Sequence, residues 1–262
     1  MKSKEITELA IKRHDIDAAD FQKVYTEPEQ TTAKETVFIY GRKLVLDELE
    51  LVLAGLPKGS KVLDVGCGTG HLTNWIKEKG YDTCGIEPSN EMYNYARKNF
   101  PDIEIKKAIS SNIPYPDDSF DLVVSFEVLR YLDDMENRKT YHEFHRVLKP
   151  GGVFFVTQVN MFSADLYYFF HKTKSVISKI TNSTHHHCNF TTSAAQIKQV
   201  KDAGFRSVKT VGVFWGSVRF LYKFGKKVGG SYAALIEKIS KQKAADSFRK
   251  NIAAHLIVIG KK

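Results

Sequence analysis

Cysteine is scarce in this chain: Cys67, Cys84 and Cys188 are the only three in 262 residues, an odd number with no C-x-x-C pair. That argues against a disulfide framework and a zinc knuckle and points to reduced thiols. Also missing is any apolar run near the roughly 18 residues that a membrane-spanning helix needs. The opening MKSKEITELAIKRHD is charged and amphipathic, without the apolar core of a secretory signal. The expectation is a cytoplasmic protein with no transmembrane segment. Low-complexity linkers and internal repeats are absent, and 42% apolar with 26% charged residues is ordinary for a globular chain rather than a fibrous or disordered one. Acidic residues are depleted in one part only. Residues 158–262 hold 18 Lys and Arg against 4 Asp and Glu, net +14, whereas residues 1–157 hold 21 against 26, net −5. Such a basic third is either a solvated face or an attraction for an anionic substrate, membrane surface or nucleic acid.

What is present is a regular alternation. Residues 3 to 54 carry apolar positions at three- and four-residue spacing and predict helices that stop at Gly55 and Pro57. Strand-like and helix-like runs then follow one another: KVLDV, a helix from about His71 to Lys79, DTCGIE, the helix SNEMYNYARKNF, DIEIKKA, FDLVVSF, the helix ENRKTYHEFHRVL, and GGVFFVTQV. Short apolar strands alternating with helices predict a parallel sheet covered on both faces. After Val159 the pattern changes. NMFSADLYYFFHKTKSVISKI reads as an aromatic helix, THHHCNFTT as a loop, SAAQIKQVKDAGF as a helix and RSVKTVGVF as a strand; a basic helical stretch from about Val218 to Lys250 precedes a last strand, AHLIVIG.

The stretch SKVLDVGCGTGHL, Ser60 to Leu72, breaks an apolar strand into glycines at positions 66, 68 and 70. Beyond the carboxyl end of a parallel strand, such a turn lets backbone approach a bulky ligand without Cβ clashes, although an ordinary tight turn has the same composition. The nicotinamide fingerprint is G-x-G-x-x-G, and here the position three after Gly68 is His71, so the oxidoreductase reading loses ground. Asp64, two residues before the first glycine, can organise the turn and receive donors from a cationic ligand. Glu87, 21 residues after Gly66 at the end of the second strand, can accept from a pair of ribose hydroxyls.

With VLDVGCGTG, GIEPSNEM, IPYPDDSFDLVVSFEVLRYL, RVLKPGGVFFVT and NFTTSAAQIKQVKDAGF in this order, the chain resembles the class I S-adenosylmethionine-dependent methyltransferases, in their small-molecule (type 11) branch, from about Val37 to Phe214. The resemblance implies a Rossmann-like doubly wound α/β sheet of seven strands, the last antiparallel, with N-terminal helices and a helical cap. It implies one domain over 1–262: N-terminal helices in 1–57, the cofactor-binding core in 58–159, cap and substrate segments in 160–203 and 214–250, and the last strands in 204–213 and 251–262. It further implies S-adenosylmethionine as cofactor, S-adenosylhomocysteine as product, and methyl transfer to a small apolar or aromatic acceptor at oxygen or nitrogen. Carried over, Gly66, Gly68 and Gly70, with Cys67 between them, face the methionine part. Glu87 and the following Pro88 meet the ribose, Met92 packs near the adenine, residues 108–111 flank it, and Ser125 with Phe126 line the methyl donor's pocket. The family's GDA is AIS here, so Ile109 replaces the acid that accepts from the adenine amino group, and Ser110, Ser111 or backbone groups are the substitutes.

The acceptor side is read from the same stretch of chain. Where related O-methyltransferases carry a metal-holding EVLEH, this chain has EVLRYL, with Arg130 and Tyr131 in place of the acid and histidine, so no metal is expected. The motifs of nucleobase methylation, an Asn/Asp-Pro-Pro-aromatic tetrad or a cysteine nucleophile, are absent, which sets nucleic acid aside as substrate. A general base near neutral pH suits histidine. His186 and His187, in the run His185 to His187 before the FT segment, are the candidates, against plain loop surface; His142 and His145 read as helix packing. Met161, Tyr167 and Trp215 represent the aromatic-rich cap, and Tyr25 and Arg42 of the N-terminal helices can close over the cofactor. Two alternatives remain: a non-catalytic S-adenosylmethionine-binding module docked through its basic cap on an anionic partner, including peripheral membrane contact, and, more remotely, an NAD(P)-dependent oxidoreductase.

Overall fold

Alternation along the strands explains the layering. In the computed structural model, which describes residues 3–27, 33–181, 187–214, 218–240 and 250–262, Val62, Leu122, Val124, Phe155 and Ile257 face one side of a sheet. Leu63, Val123, Phe154, Val156, Leu256 and Val258 face the other, and all of these are fully buried. A period of two with both faces apolar requires cover on both sides. The strands are β1 (Lys61–Val65), β2 (Asp82–Ile86), β3 (Glu104–Lys106), β4 (Phe120–Ser125), β5 (Leu148–Asn160), β6 (Phe190–Thr191), β7 (Ser207–Val213) and β8 (His255–Lys261). Seven lie in the order β3-β2-β1-β4-β5-β8-β7, and β8 alone runs antiparallel, to both its neighbours. The two-residue β6 pairs in parallel with the end of β5.

The covering helices follow the two apolar sets. Leu49 and Leu53 of α2 (Ala33–Ala54) and Ile76 of α3 (His71–Glu78) pack on the first face. Tyr141, Phe144 and Val147 of α5 (Asp134–Val147) and Val200 of α7 (Ser193–Asp202) pack on the second. Each buried aliphatic or aromatic side chain contributes roughly 1.5–3 kcal/mol, and Phe144→Ala would cost about 3–5 kcal/mol. Side chains start the helices where the sequence offers them. Ser89 accepts from the Met92 N–H at the head of α4 (Asn90–Asn99), Asp133 from Glu136 before α5, and Thr192 from Ala195 before α7. The chain lays β2 and β3 to one side of β1 and β4 and β5 to the other, so a crevice opens beyond the carboxyl ends of β1 and β4.

The long N-terminal helix α1 (Ser3–Thr26) lies against the start of α4: Asp15 Oδ1 accepts from Ser89 Oγ at 2.7 Å and from the Glu91 N–H at 3.1 Å. Two expected boundaries move. β5 runs on through Asn160, which pairs with Thr191, and the aromatic helix α6 starts only at Tyr167 and ends at Ile180. Asp165 Oδ1 accepts from Ser163 Oγ and from the Tyr167 N–H, closing a turn that separates strand from helix. The basic stretch after Val218 is broken rather than continuous, into α8 (Val218–Leu221), a 3-10 turn (Tyr222–Phe224) and α9 (Lys226–Ser240). Gly225, at φ 115°, takes a conformation that other residues resist, and the break falls there. Among the described residues no helix is long and apolar enough to cross a membrane.

Candidate active site

At the end of β1 the backbone turns through Gly66 and Gly68, both at positive φ (74° and 57°). The Gly66 and Cys67 N–H groups both donate to the Ile86 carbonyl, which ties the turn to β2. A Cβ on Gly66 would sit 2.3 Å from Val128 Cγ2, whereas a Cβ on Gly68 would meet nothing within 4 Å. The first glycine is therefore required by packing and the second borders open space. Two carboxyls flank the turn. Asp64, buried, accepts from Thr73 Oγ1 at 2.7 Å through Oδ2, while its Oδ1 has no partner among the described residues. Glu87 accepts from the Gly68 N–H at 2.9 Å and from the Ser89 N–H at 2.9 Å. Burial is the main cause that pushes each carboxyl up to about 7. An orphaned buried oxygen, a bare backbone and a second carboxylate within one wall fit a ligand that brings a cation and hydroxyl donors.

These groups line a cavity of about 1170 Å³. Its lining also includes a charged cluster built from three distant segments. Glu127, two residues beyond the end of β4, sits at φ 60°, and its N–H donates to Thr157 Oγ1 at 2.7 Å. Arg130 Nη1 donates to Glu127 Oε2 at 2.6 Å, and His255 Nδ1, from the head of β8, lies 3.0 Å from Glu127 Oε1. Burial resists ionisation of Glu127, but His255 and Arg130 outweigh it and hold the carboxyl well below the usual range. Arg130 reaches on to the Tyr167 hydroxyl at 3.2 Å and towards Cys188 Sγ at 3.6 Å. Aromatic walls surround the cluster: Phe38, Phe126, Tyr131, Phe170 and Phe214 line the same space.

The N-terminal helices roof the cavity. Tyr25 stacks on His71 with ring centres 4.5 Å apart, and the Arg42 guanidinium lies 5.0 Å from the Tyr25 ring centre. Burial is the main cause that raises the Tyr25 hydroxyl. His14 meets the Tyr131 ring edge-on at 4.8 Å, and burial lowers the basicity of its imidazole. Gln22 accepts from Asn99 Nδ2 at 2.8 Å, fastening the far end of α1 to α4.

Most of the residues singled out from the sequence meet in this one cavity: Tyr25, Asp64, Gly66, Cys67, Gly68, Glu87, Pro88, Met92, Ile109, Ser110, Phe126, Arg130, Tyr131, Tyr167 and His187 all line it. Three do not. Gly70, at φ 84°, is the cap of α3 and faces Phe100 and Ala96 of the α4 region, where a Cβ would come within 2.8 Å of Phe100. Ser125 is fully buried and donates to the Val65 carbonyl at 2.9 Å, within the sheet. Met161 follows β5 and donates its N–H to the Thr191 carbonyl, away from the cavity. Ser110 spends its hydroxyl on Thr140 Oγ1 at 2.8 Å, which leaves Ser111 and backbone as the polar groups beside Ile109. His187 lies at the exposed rim, its Nε2 3.3 Å from the Leu132 carbonyl. His185, His186 and Trp215 lie outside the described residues. Sequence reasoning passed over Glu127 and His255. Glu127 follows a sheet strand as Glu87 does, a usable signal, but nothing near His255 in the chain connects it with Glu127.

The methyltransferase domain family matches residues 63–156, from Leu63 of β1 to Val156 of β5. The demethylmenaquinone methyltransferase of Chlorobaculum tepidum is 32% identical over 164 residues, 57% of this chain and 66% of that protein. The ubiquinone biosynthesis O-methyltransferase of Azoarcus sp. is 26% identical over 188 residues, 69% of this chain and 79% of that protein. Across four curated relatives the match spans 40% to 66% of their own length. The crystal structure of a SAM-dependent methyltransferase from Thermotoga maritima has the same fold, with a TM-score of 0.57 at 24% identity over 92% of this chain and 98% of that one. The family's domain lies over the very strands whose ends carry Asp64, the glycine turn and Glu87, and the chain belongs to the class I S-adenosylmethionine-dependent methyltransferases.

Proposed function

We propose that the protein transfers a methyl group from S-adenosylmethionine to an aromatic acceptor that carries an ionisable hydroxyl. The observation that carries the cofactor assignment is the buried Oδ1 of Asp64, without a partner among the described residues, beside an open glycine turn and Glu87. Asp64 would receive the ammonium group of the cofactor, the Gly66–Gly68 backbone would run along its methionine part, and Glu87 would exchange its bond to the Gly68 N–H for the ribose hydroxyls. Met92, Pro88 and the residues 108–111 would enclose the adenine. When bound, the cofactor supplies an electrophilic methyl group on a sulfonium sulfur.

The acceptor reading rests on the aromatic lining and the charged cluster after β4. Aromatic side chains offer a flat apolar slot, and Glu127, paired with the Arg130 guanidinium at 2.6 Å, is too weak a base to take a proton itself. It can orient the His255 ring through Nδ1, which leaves Nε2 to take the proton, so His255 is the base we assign, with His187 at the rim as the second candidate. Removing the acceptor's proton while a closed cavity holds the oxygen in line is the main contribution such a site can make. The names of the two relatives above, concerned with menaquinone and ubiquinone, lend support to an acceptor of this aromatic kind.

Incubation of the full chain with methyl-labelled S-adenosylmethionine and a cell extract tests the reading. Label is expected in the small-molecule or lipid fraction and in a product with a methylated hydroxyl. Glu87→Ala should abolish labelling by loss of cofactor affinity. Label in RNA or protein would overturn the acceptor assignment, and bound cofactor with no label in any fraction would favour the non-catalytic module.

A further inference from the structure

Helix α6 is amphipathic in the opposite sense to a surface helix of a globular protein. It packs inward through its polar-tipped residues: Tyr167, Tyr168 and His171 all contact the Phe190 ring, with centres 5.2 to 5.6 Å apart. Its outer face carries Phe169, Phe170, Val176, Ile177 and Ile180, each between 57% and 78% exposed. At 100° per residue these five fall within an arc of about 120°, and Lys172 and Lys174 flank the arc on either side. Phe162 and Leu166 extend the apolar surface past the head of the helix.

A second patch follows β7 in the chain. Phe220 and Phe224 pair at 5.2 Å and are at least half exposed, and Val228 and Leu235 of α9 are about half exposed, with Lys226, Lys227 and Lys238 beside them in the chain. The two patches belong to one rim, because Phe170 and Lys174 of α6 and Phe220 and Tyr222 of the α8 segment line the same cavity. Scattered exposed apolar residues are normal, whereas apolar stripes edged by lysines mark a surface made for a partner. The charge of the surrounding chain selects the partner: residues 158–262 carry net +14. A nucleic acid would use the lysines but has no use for Val176, Ile177 and Ile180. A second copy of this face would bring like charges together. An anionic bilayer satisfies both components, with apolar side chains sunk at the headgroup boundary and lysines at the level of the lipid phosphates.

We infer that the cap docks on an anionic lipid bilayer, α6 lying in the interfacial plane, so that the cavity mouth opens towards the lipid. An apolar acceptor dissolved in the bilayer would then reach the site without crossing water. The docking surface stands on the cap alone and does not depend on the methyltransferase chemistry proposed above.

Flotation of the full chain with vesicles of phosphatidylcholine containing phosphatidylglycerol, and with vesicles of phosphatidylcholine alone, tests it. At least tenfold stronger partitioning onto the anionic vesicles is expected, weakening as salt rises. The triple variant Phe169→Ser, Ile177→Ser, Ile180→Ser should lose at least another factor of ten while keeping its affinity for S-adenosylhomocysteine, which reports an intact fold. Equal partitioning of variant and wild type overturns the proposal, as does absence of vesicle binding with retention on single-stranded RNA, or with self-association that the triple variant abolishes. Vesicle binding by a protein that fails to bind S-adenosylhomocysteine would leave the docking surface standing and remove the cofactor assignment.

Discussion

Affinity for S-adenosylhomocysteine should rise steeply with pH through neutrality. Asp64 and Glu87 are both buried, and each titrates at about 7 with burial as the main cause. The ligand groups proposed to meet them, an ammonium and two ribose hydroxyls, are donors that require the ionised carboxylate. A carboxyl titrating near 7 is about 9% ionised at about pH 6 and about 91% at about pH 8, so each such group changes the affinity about tenfold, or about 1.4 kcal/mol. Two independent groups would give about a hundredfold; their mutual repulsion makes the protons leave as a coupled pair and spreads the change over a wider interval. Isothermal titration calorimetry in buffers of different ionisation enthalpy measures both quantities, and between one and two protons should be released per ligand at about pH 6. Asp64→Asn and Glu87→Gln should each remove one step and leave about a tenfold dependence. An affinity that moves less than about twofold across this range, without proton release, would refute the placement of the two carboxylates against the ligand. The same shifts bear on stability. Because both folded-state values lie above the unfolded ones, the contribution of these carboxyls is complete below the unfolded values near 4 and is lost as pH rises through about 7. The free protein should melt lower at pH 8 than at pH 5.5 on this account, and S-adenosylhomocysteine should offset the loss.

Three further outcomes follow from the geometry. Gly66→Ala forces a methyl group to 2.3 Å from Val128 Cγ2 at positive φ, so it should cost about 1–3 kcal/mol by chemical denaturation and weaken ligand binding beyond tenfold. The double variant with Val128→Ala should recover only the steric part. His255→Gln should lower turnover by about a hundredfold or more while leaving S-adenosylhomocysteine affinity intact, and His187→Ala should change turnover by less than about fivefold; the reverse ranking would move the base to the rim. Asp15→Ala removes the acceptor for Ser89 Oγ and the Glu91 N–H, so α1 should open more readily. Stopped-flow release of S-adenosylhomocysteine should then accelerate by about five- to thirtyfold, the equivalent of about 1–2 kcal/mol of lost hydrogen bonding.

The order of strands and helices and the cradle of Asp64, Gly66, Gly68 and Glu87 were legible in the sequence by itself. Each depends on local physics: a short continuous apolar run declares a strand buried on both faces, and a glycine pair after a strand releases the backbone for a close ligand. Even there, local pattern misled at Gly70, which serves the packing of α3 against α4, and the family resemblance misled at Ser125, which turns into the sheet. The tertiary structure alone decided what depends on segments far apart in the chain. Glu127 and His255 meet because β8 inserts antiparallel between β5 and β7, which brings its first residue beside the end of β5, and no periodicity encodes that neighbour. The outward apolar face of α6 has the same origin. An amphipathic pattern announces that a helix has two faces, but only the packing of Tyr167, Tyr168 and His171 on Phe190 selects which of them is left to the surroundings.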